Sequence, residues 1–469
     1  MKLVEVKERW LMCWLCFMGR GVTQAVRVVL GALMPYIATD LELDHKQKGT
    51  VLAAFAAGYM CTQVLGGYAS DRYGGRGPIL FALGSLGFVF AVAPWCADTY
   101  GPNGLAGCLF VMGLCEGPSY PSMGTMLGRW IPAHERSKAV SISDTGSSLG
   151  SMLTFAIAPP LAALYGWRAT MRMWAYSCLL STAIWYKYAT NGPDESLRIS
   201  VRELEYLRQH GLGKAPHHGK GGRNAPFPYA LFKFSQTWAV IVAHAAFNFG
   251  RYFVYNSLLQ FYVDELGTTA VAAGQHILIG QIFDCIGKFG FAPFADRAIR
   301  TNPSSRTRVR KVISGVAFVA FALSMAGFAA CTTVSVATAW LVVAKIASSA
   351  HVCGFKSNYL DLTTAHNGVL TGVGNMIATF ASTVSPLLGG SVLDGSRRGW
   401  TTMFMIIGAL DVGAALFWVV FASGDSIDDK VALKDDEKEE PLVKGSPIVA
   451  KGSPRTSPVS KARKSAAVV

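Results

Sequence analysis

Long apolar runs are the feature that most constrains how this 469-residue chain folds. A helix needs about 20 apolar residues to cross the hydrocarbon core of a bilayer, and about twelve runs in the sequence reach that length. Charged residues make up only 15% of the chain, which is too few to cover the surface of a soluble protein of this length. The sequence therefore predicts an all-α membrane protein with about twelve transmembrane helices.

The positive charges indicate how these helices are oriented. The chain has a net charge of +14, and most Lys and Arg residues fall in alternate connections, chiefly 198–233 and 297–311. Because cytoplasmic loops of membrane proteins are rich in Lys and Arg, we predict a multi-pass protein with both termini in the cytoplasm, in a membrane that the sequence does not identify. The basic residues form no recognisable nucleic-acid-binding module, so nucleic acid is not expected as a partner.

Charged residues recur at a fixed interval along the chain. Arg27 and Asp71 have counterparts in Arg251 and Asp296, each about 225 residues later. This spacing predicts two pseudo-symmetric six-helix bundles. We expect an N-terminal six-helix bundle, a cytoplasmic hinge loop, a C-terminal six-helix bundle and a disordered cytoplasmic tail, over residues 1–190, 191–235, 236–422 and 423–469.

Two six-helix halves joined by a hinge are typical of secondary transporters, which bind their substrate near the membrane midplane between the halves. The sequence contains no nucleotide-binding loop of the GxxxxGKS or GxxxxGKT type, so we expect an ion gradient or exchange rather than ATP to drive transport. We expect no enzyme activity, no cofactor and no metal site. An anion channel and a non-transporting membrane receptor are the alternatives from other classes.

Two arginines inside apolar spans are the strongest candidates for a binding site. A charge at the centre of a membrane span costs about 2.5–3.5 kcal/mol on insertion scales, so such residues usually have a function. Arg27 and Arg251 lie near the centres of spans one and seven, which the duplication makes equivalent. Facing one cavity, they would form a clamp for phosphate or carboxylate. The alternative is that each arginine is structural and pairs with its own acid.

Further polar side chains share a helix face with these arginines. On span seven, polar residues recur at i, i+4, i+7 and i+11 around Arg251, which is the spacing of one helix face. Taken singly, each could also be a helix-packing hydrogen bond. The predicted lining comprises His244, Asn248 and Tyr255 on span seven, Tyr59 and Gln63 on span two, and Asn375 on span eleven.

Acidic residues inside the spans are candidates for proton coupling, and we predict this role for Glu116 and Asp144. Glu116 has no cation on its own helix, so it either pairs with an arginine of another helix or binds a proton when the substrate leaves. Asp284 stands four residues before Lys288, so these two side chains are expected to pair with each other. The sequence leaves open the roles of two further titratable residues on span ten, Lys345 and His351.

The loop after span two carries the most recognisable motif. Its sequence, Gly67-Tyr-Ala-Ser-Asp71-Arg72-Tyr-Gly-Gly-Arg76, resembles the signature loop of the major facilitator superfamily, and a degenerate copy follows span eight. Four stretches, 58–67, 116–137, 248–252 and 354–375, are similar to the anion:cation symporter branch, which contains type I sodium-phosphate, vesicular glutamate, sialic acid and plastid phosphate transporters. The resemblance implies a latch on the cytoplasmic side formed by Gly67, Asp71, Arg72, Arg76, Asp296 and Arg297.

The resemblance also implies roles for single residues. Arg27 falls on the first-helix arginine that such transporters use for substrate anions, and Glu116 falls on the fourth-helix glutamate implicated in proton linkage. Leu109 stands where many members have an arginine, which argues against a glutamate-type dicarboxylate. Arg251-Tyr252, together with Arg27, resembles the arginine pair of organophosphate:phosphate antiporters, so Tyr252 joins the predicted lining.

These observations predict secondary active transport of a small anion by alternating access. The substrate would be inorganic phosphate or an organic anion, and the coupling ion would be H+ or Na+. We expect the protein to act as a monomer in a lipid bilayer. Within transporters, the alternatives are a sodium-coupled or cation-substrate protein and an organophosphate:phosphate exchanger.

Overall fold

The structure, a computed structural model, describes residues 7–43, 45–212, 227–393 and 396–432. Over these residues it consists of helices joined by short loops, without a β-strand. The middle of the predicted hinge, 213–226, and most of the predicted tail, 433–469, lie outside the described residues. The predicted disorder of the tail beyond 432 therefore stays a prediction.

Five helices form the first half. They are α1 (Glu8–Asp40), α2 (His45–Tyr73), α3 (Arg76–Glu116), α4 (Ser119–Trp130) and α5 (Arg136–Tyr188). α3 and α5 are too long for one crossing, because about 20 residues at about 1.5 Å each already span the hydrocarbon core. Each bends at a glycine with a left-handed backbone, Gly101 (φ 63°) and Gly166 (φ 78°), a conformation that glycine adopts most readily. The half therefore crosses six times, and α4 completes the fourth crossing.

The second half has the same number of crossings. After α6 (Val201–Gln209) in the predicted hinge come α7 (Ser235–Asp264), α8 (Ala270–Thr301), α9 (Arg306–Ala330), α10 (Val334–Ala350), α11 (Ser357–Leu362), α12 (Asn367–Val392) and α13 (Arg397–Phe421). A π-helical segment, Val352–Lys356, joins α10 to α11 within a single crossing. The predicted architecture of two six-helix bundles is confirmed.

The composition of these helices fits a multi-pass integral membrane protein. Among the described residues, seven helical stretches are long and apolar enough to cross a membrane: α1, α3 with α4, α5, α8, α9, α10 with α11, and α13. α2, α7 and α12 complete the set and carry buried polar side chains, among them Gln63, His244 and Asn375. Large apolar side chains such as Leu65 and Phe294 are exposed on the outside, as expected for a surface that faces lipid.

The two halves pack closely at one end of the bundle, which we call the latch end. It is the end at which α2 ends and α12 begins. A Cβ atom on Gly67 would collide with the backbone oxygen of Gly368, so α2 and α12 approach each other here at backbone distance. α5 of the first half also packs against α8 of the second half. These contacts leave a polar cavity at the middle of the bundle.

The predicted disorder of the tail from residue 423 is wrong for its first ten residues. Ile427 and Val431 are buried against the second half, and Asp428 accepts hydrogen bonds from Thr363 and from the backbone N–H of Thr364. Ile427 and Val431, the two apolar anchors of this segment, stand in a stretch that is otherwise mostly polar, and such a composition predicts disorder. Residues 423–432 therefore cover the loop between α11 and α12 at the latch end.

Candidate functional site

A polar cavity of about 150 Å³ lies at mid-bundle between the halves. An engineered protein cavity of about 150 Å³ is large enough to hold benzene, so this one has room for a small substrate. The first half contributes side chains from α1 to α5, and the second half contributes them from α7, α8, α12 and the π-helical segment. The predicted residues that line the cavity are Arg27, Tyr59, Glu116, Asp144, His244, Asn248, Arg251, Tyr252, Tyr255 and Asn375.

Arg27 pairs with Glu116 on the cavity wall. Its Nη2 donates to Glu116 Oε1 at 2.6 Å. The guanidinium lies 4.4 Å from the ring centre of Tyr59 and 5.2 Å from that of Phe55, in cation–π contact with both rings. The Arg27 side chain is 25% exposed, whereas that of Glu116 is only 2% exposed. The pair thus presents the arginine to the cavity and keeps the acid behind it.

Close helix packing fixes this pair in place. A Cβ atom on Gly58 would collide with the backbone oxygen of Phe110, and one on Gly113 would collide with the backbone of α2. α2 and α3 therefore approach each other without intervening side chains at this level. This approach brings Tyr59 of α2 and Glu116 of α3 together around the guanidinium from α1.

Arg251 faces the same cavity from α7. Its guanidinium lies 5.3 Å from the ring centre of Phe247, and within the described part of the chain no acid lies within ion-pair distance of it. The structure therefore brings the two predicted arginines to one cavity. Arg27 therefore pairs with an acid of its own, as in the alternative considered above, whereas Arg251 has no such acid among the described residues.

Asp144 of α5 forms an ionic bridge between the halves. Its carboxylate forms an ion pair with Arg20 of the first half at 2.9 Å. It also pairs with Lys288 and Lys356 of the second half, at 3.0 and 3.1 Å. Lys288 also pairs with Asp284 at 2.8 Å, as predicted from their spacing. Three neighbouring cations favour the ionised carboxylate. This arrangement argues against the predicted role of Asp144 as a proton carrier.

An interruption of regular helix geometry places Lys356 at the cavity. In the π-helical segment, Gly354 has non-helical dihedral angles (φ −97°, ψ −113°), and a Cβ atom there would collide with the Ser314 hydroxyl. Single π-helical turns are frequent at functional sites. Lys356 is not among the predicted site residues, although it is a cation inside an apolar span, which is the same signal that identified Arg27 and Arg251.

Hydrogen bonds beside the cavity join α2 to α12. Asn375 Nδ2 donates to the Tyr59 hydroxyl at 3.1 Å and to Gln63 Oε1 at 2.6 Å. Gln63 in turn donates to the Thr379 hydroxyl at 3.4 Å. Gln63 is fully buried and does not line the cavity, so its place differs from the prediction. It lies one hydrogen bond behind the cavity wall.

The buried histidines near the cavity are held by hydroxyl groups. His244 Nδ1 lies 3.1 Å from the Tyr359 hydroxyl, and His351 Nδ1 lies 3.1 Å from the Ser314 hydroxyl. His351 also packs 4.3 Å from the ring of Phe318 and does not line the cavity. These contacts assign His351 to the packing of the second half.

Two reciprocal helix caps close the latch end. Asp71, at the end of α2, accepts hydrogen bonds from the backbone N–H groups of Gly368 at 2.7 Å and Val369 at 2.8 Å, in the first turn of α12. Asp296, near the end of α8, accepts two from the first turn of α5 at 3.1 and 2.8 Å. A carboxylate is favoured at a helix N-terminus by the free N–H groups and the helix dipole. Each half thus caps a helix of the other.

A buried charge network reinforces these caps. Asp361 of α11 forms ion pairs with Arg136 of α5 at 2.9 Å and with Arg310 of α9 at 2.7 Å. Arg310 also donates to the Ser137 hydroxyl at 2.7 Å, so it too reaches across the interface. This network was not predicted from the sequence, because its residues are far apart in the chain and form no local motif.

The other predicted latch residues have different surroundings. The Arg72 guanidinium lies 4.4 Å from the Tyr68 ring centre. Arg76 donates to the backbone oxygen of Tyr186 at 2.8 Å, within the first half, and Arg297 is exposed on α8. Of the predicted latch residues, Gly67, Asp71 and Asp296 contact the other half, whereas Arg76 contacts the first half. The latch role of these residues stays a prediction. Among the described residues, no group of three His, Cys, Asp or Glu side chains could hold a metal ion.

The sequence of this chain is similar to those of known membrane transport proteins. A family model described as the Major Facilitator Superfamily matches residues 10–384. "Probable anion transporter 5" from Arabidopsis thaliana is 28% identical over 460 residues, which cover 92% of this chain and 100% of the relative. A chloroplastic ascorbate transporter from the same plant is 26% identical over 432 residues, 91% of this chain and 77% of the relative.

A solved structure shows the same fold. The structure of a proton:xylose symporter bound to 6-bromo-6-deoxy-D-glucose matches with a TM-score of 0.69 at 16% identity, and the match covers 91% of this chain and 98% of that chain. At this low identity, the likeness concerns the arrangement of helices alone.

Proposed function

This chain belongs to the Major Facilitator Superfamily, and we propose that it carries a small anion across a membrane by alternating access. One observation carries the proposal: arginines from pseudo-equivalent helices line one cavity, and Arg251 has no acidic partner there among the described residues. Guanidinium groups bind phosphate and carboxylate through paired N–H donors. The names of two relatives, an anion transporter and an ascorbate transporter, support the same class of substrate.

We propose that the latch end faces the cytoplasm. The Lys- and Arg-rich connections around 72–76, 129–138 and 297–311 lie at this end, which is the distribution expected of cytoplasmic loops. α1 begins and α13 ends here, so both termini would be cytoplasmic. With the Asp71 and Asp296 caps formed, the bundle is closed toward the cytoplasm, and the substrate enters from the opposite side. One chain supplies both arginines, which supports transport by a monomer.

Proton coupling would follow from competition at Arg27. An anion that binds the guanidinium competes with Glu116, whose Oε1 lies 2.6 Å from Arg27 Nη2. Within the part of the chain that the structure describes, Glu116 Oε2 is buried without a hydrogen-bond partner. A buried carboxylate that loses its cation is strongly disfavoured unless it takes up a proton. Anion and proton would therefore bind together and cross together, as in a symporter.

The arginine pair also suits exchange of one anion for another, because a clamp of this kind can hold either substrate in turn. The two modes differ in one requirement: an exchanger needs a counter-anion inside the vesicle, whereas a proton symporter needs a pH gradient. Uptake into vesicles that contain no anionic substrate, with and without a pH gradient, separates them.

Uptake by purified protein in proteoliposomes tests the proposal. The probes are radiolabelled phosphate, a sugar phosphate, glutamate and sialic acid, each with a proton or sodium gradient. Arg27→Gln and Arg251→Gln each remove charge-assisted hydrogen bonds worth about 1.5–3 kcal/mol, so uptake of the accepted anion should fall about 10- to 150-fold. The control is Arg172→Gln, because Arg172 is exposed on α5 away from the cavity. Full uptake by both cavity variants would refute the clamp.

Glu116→Gln tests the coupling step. The variant keeps the shape of the side chain and removes its proton chemistry, so accumulation driven by a pH gradient should be lost while anion exchange continues. Glu205→Gln, on the exposed face of α6, is the matched control. Accumulation that follows the pH gradient unchanged in Glu116→Gln would exclude Glu116 as the proton carrier.

A further inference from the structure

The charges that line the cavity do not cancel. Among the described residues, the lining contains the four cations Arg20, Arg27, Arg251 and Lys356 but only the two carboxylates Glu116 and Asp144. Counting histidine as neutral, the cavity wall therefore carries an excess of two positive charges. Such an excess is costly in a low-dielectric interior unless an anion balances it.

The ion pairs show where this excess lies. Arg27 is balanced by Glu116 at 2.6 Å. Arg20 and Lys356 share the single charge of Asp144, at 2.9 and 3.1 Å. Arg251 has no acid within ion-pair distance among the described residues. One positive charge therefore resides on Arg251 and the other on the Arg20–Lys356 side of the same cavity.

The residues behind the lining do not remove this excess. Lys288, which also touches Asp144, is matched by Asp284 at 2.8 Å. Lys345 is buried on α10, where a Cβ atom on Gly280 of α8 would lie 3.2 Å from its side chain, and it adds a further positive charge near the cavity. Lys288, Asp284 and Lys345 together carry one positive charge, and the buried Asp411, whose Oδ2 would lie 3.6 Å from a Cβ atom on Gly250 of α7, at most cancels it. These charges behind the lining therefore do not offset the positive excess of the lining.

We propose that the cavity selects small anions with two negative charges, and that Arg251 is the residue that sets this preference. The inference rests on the proposed function and narrows its substrate class. With Glu116 ionised, a monoanion leaves one positive charge of the lining unbalanced, whereas a dianion neutralises the wall. When Glu116 takes up a proton, the excess rises to three, and a dianion still balances more of it than a monoanion does. Phosphate, sulfate and short dicarboxylates share this chemistry. The hydroxyl groups of Tyr252 and Tyr255, which line the same side as Arg251, can donate hydrogen bonds to the second charged group.

Arg251 is the specificity residue because, among the described residues, it is the lining cation with no acid within ion-pair distance. Arg27 keeps Glu116 and Arg20 keeps Asp144 when the cavity is empty, so each already has a partner that a ligand must displace. A ligand charge next to Arg251 displaces no carboxylate. Loss of this one cation lowers the excess from two to one, and a monoanion then balances the lining as well as a dianion.

Binding of size-matched anions tests the proposal. Calorimetric titration of the purified protein compares succinate with succinamate, in which an amide replaces one carboxylate, and sulfate with methanesulfonate. Each dianion should bind at least about tenfold more tightly than its monoanionic partner, as expected for one additional charge contact in a partly dry cavity. Separate titrations with inorganic phosphate and with succinate distinguish oxyanion from dicarboxylate substrates within the class.

Variants of Arg251 complete the test. In Arg251→Gln, the ratio of dianion to monoanion affinity should fall close to one, whereas Arg251→Lys and the exposed control Arg172→Gln should keep it. Equal affinities for the two charge classes in the native protein, or an unchanged ratio in a folded Arg251→Gln protein, would overturn this inference and leave anion transport intact. If neither class binds and neither is transported, the proposed function itself fails.

Discussion

Replacement of Asp144 by asparagine should release the two halves at the latch end. The carboxylate receives Lys288 at 3.0 Å and Lys356 at 3.1 Å across the interface, and these lysine side chains are only 1% and 8% exposed. Removal of one partner of a buried ion pair costs about 3–5 kcal/mol. This cost falls on the closed state, because the lysines face a water-filled gap once the halves separate. At about 1.4 kcal/mol per factor of ten, the ratio of closed to open molecules should fall about 100-fold to several thousand-fold.

Distances between spin labels at the latch end measure this ratio. One label replaces Tyr73, which is exposed at the end of α2, and the other replaces Arg300, which is exposed near the end of α8. In Asp144→Asn the distance distribution should shift from the short, closed population to a longer one.

Two further variants make this result interpretable. Asp98→Asn removes an exposed ion pair with Arg168 within the first half, worth about 0–1 kcal/mol, and should leave the distances unchanged. Lys356→Met combined with Asp144→Asn removes one of the two lysine charges that Asp144→Asn leaves without this carboxylate, and it should restore part of the closed population. If a folded Asp144→Asn protein keeps the native distance distribution, Asp144 does not hold the halves together and the reasoning is refuted.

Three more changes at the latch end have defined outcomes. Gly67→Ala places a Cβ against the backbone oxygen of Gly368 and should lengthen the same label distances. In Gly77→Ala the new Cβ meets no atom of the described residues within 4 Å, so these distances should stay unchanged. Asp71→Asn loses one acceptor oxygen and the charge at the start of α12, a change of about 0.5–2 kcal/mol, so the open population should rise about 2- to 30-fold by the same measurement. Asp428→Asn weakens the bonds to Thr363 and Thr364, so amide hydrogen exchange of residues 423–432 should accelerate, and unchanged exchange would show that the apolar anchors alone hold this segment.

The fold could be predicted from the sequence because its main determinants are local. An apolar run of sufficient length specifies a crossing whatever its neighbours are, and the repeat of Arg27 and Asp71 at Arg251 and Asp296 specifies two equivalent halves. The pair of Asp284 with Lys288 was also predictable, since four residues on a helix place two side chains on one face.

The interface between the halves was less predictable because its partners are distant in sequence. From the sequence, Asp144 is a candidate proton carrier, because its neighbours in the chain do not indicate that two lysines of the other half lie about 3 Å away. The π-helical turn around Gly354 brings Lys356 to Asp144, and the periodicity of apolar and polar residues does not specify such a turn. Gln63 satisfied the polar-face criterion, yet it points to α12 rather than into the cavity. The direction in which a polar side chain points within the bundle depends on how the helices pack, and the periodicity of the sequence does not predict that packing.

The position of a bound anion tests the central claim most directly. Selenate is a dianion whose anomalous scattering identifies it in crystals of the purified protein. We predict one anomalous peak inside the cavity, within hydrogen-bond distance of both Arg27 and Arg251, and its loss in crystals of Arg251→Gln. A peak outside the cavity, or a cavity peak that persists when both arginines are replaced by glutamine, would contradict the account.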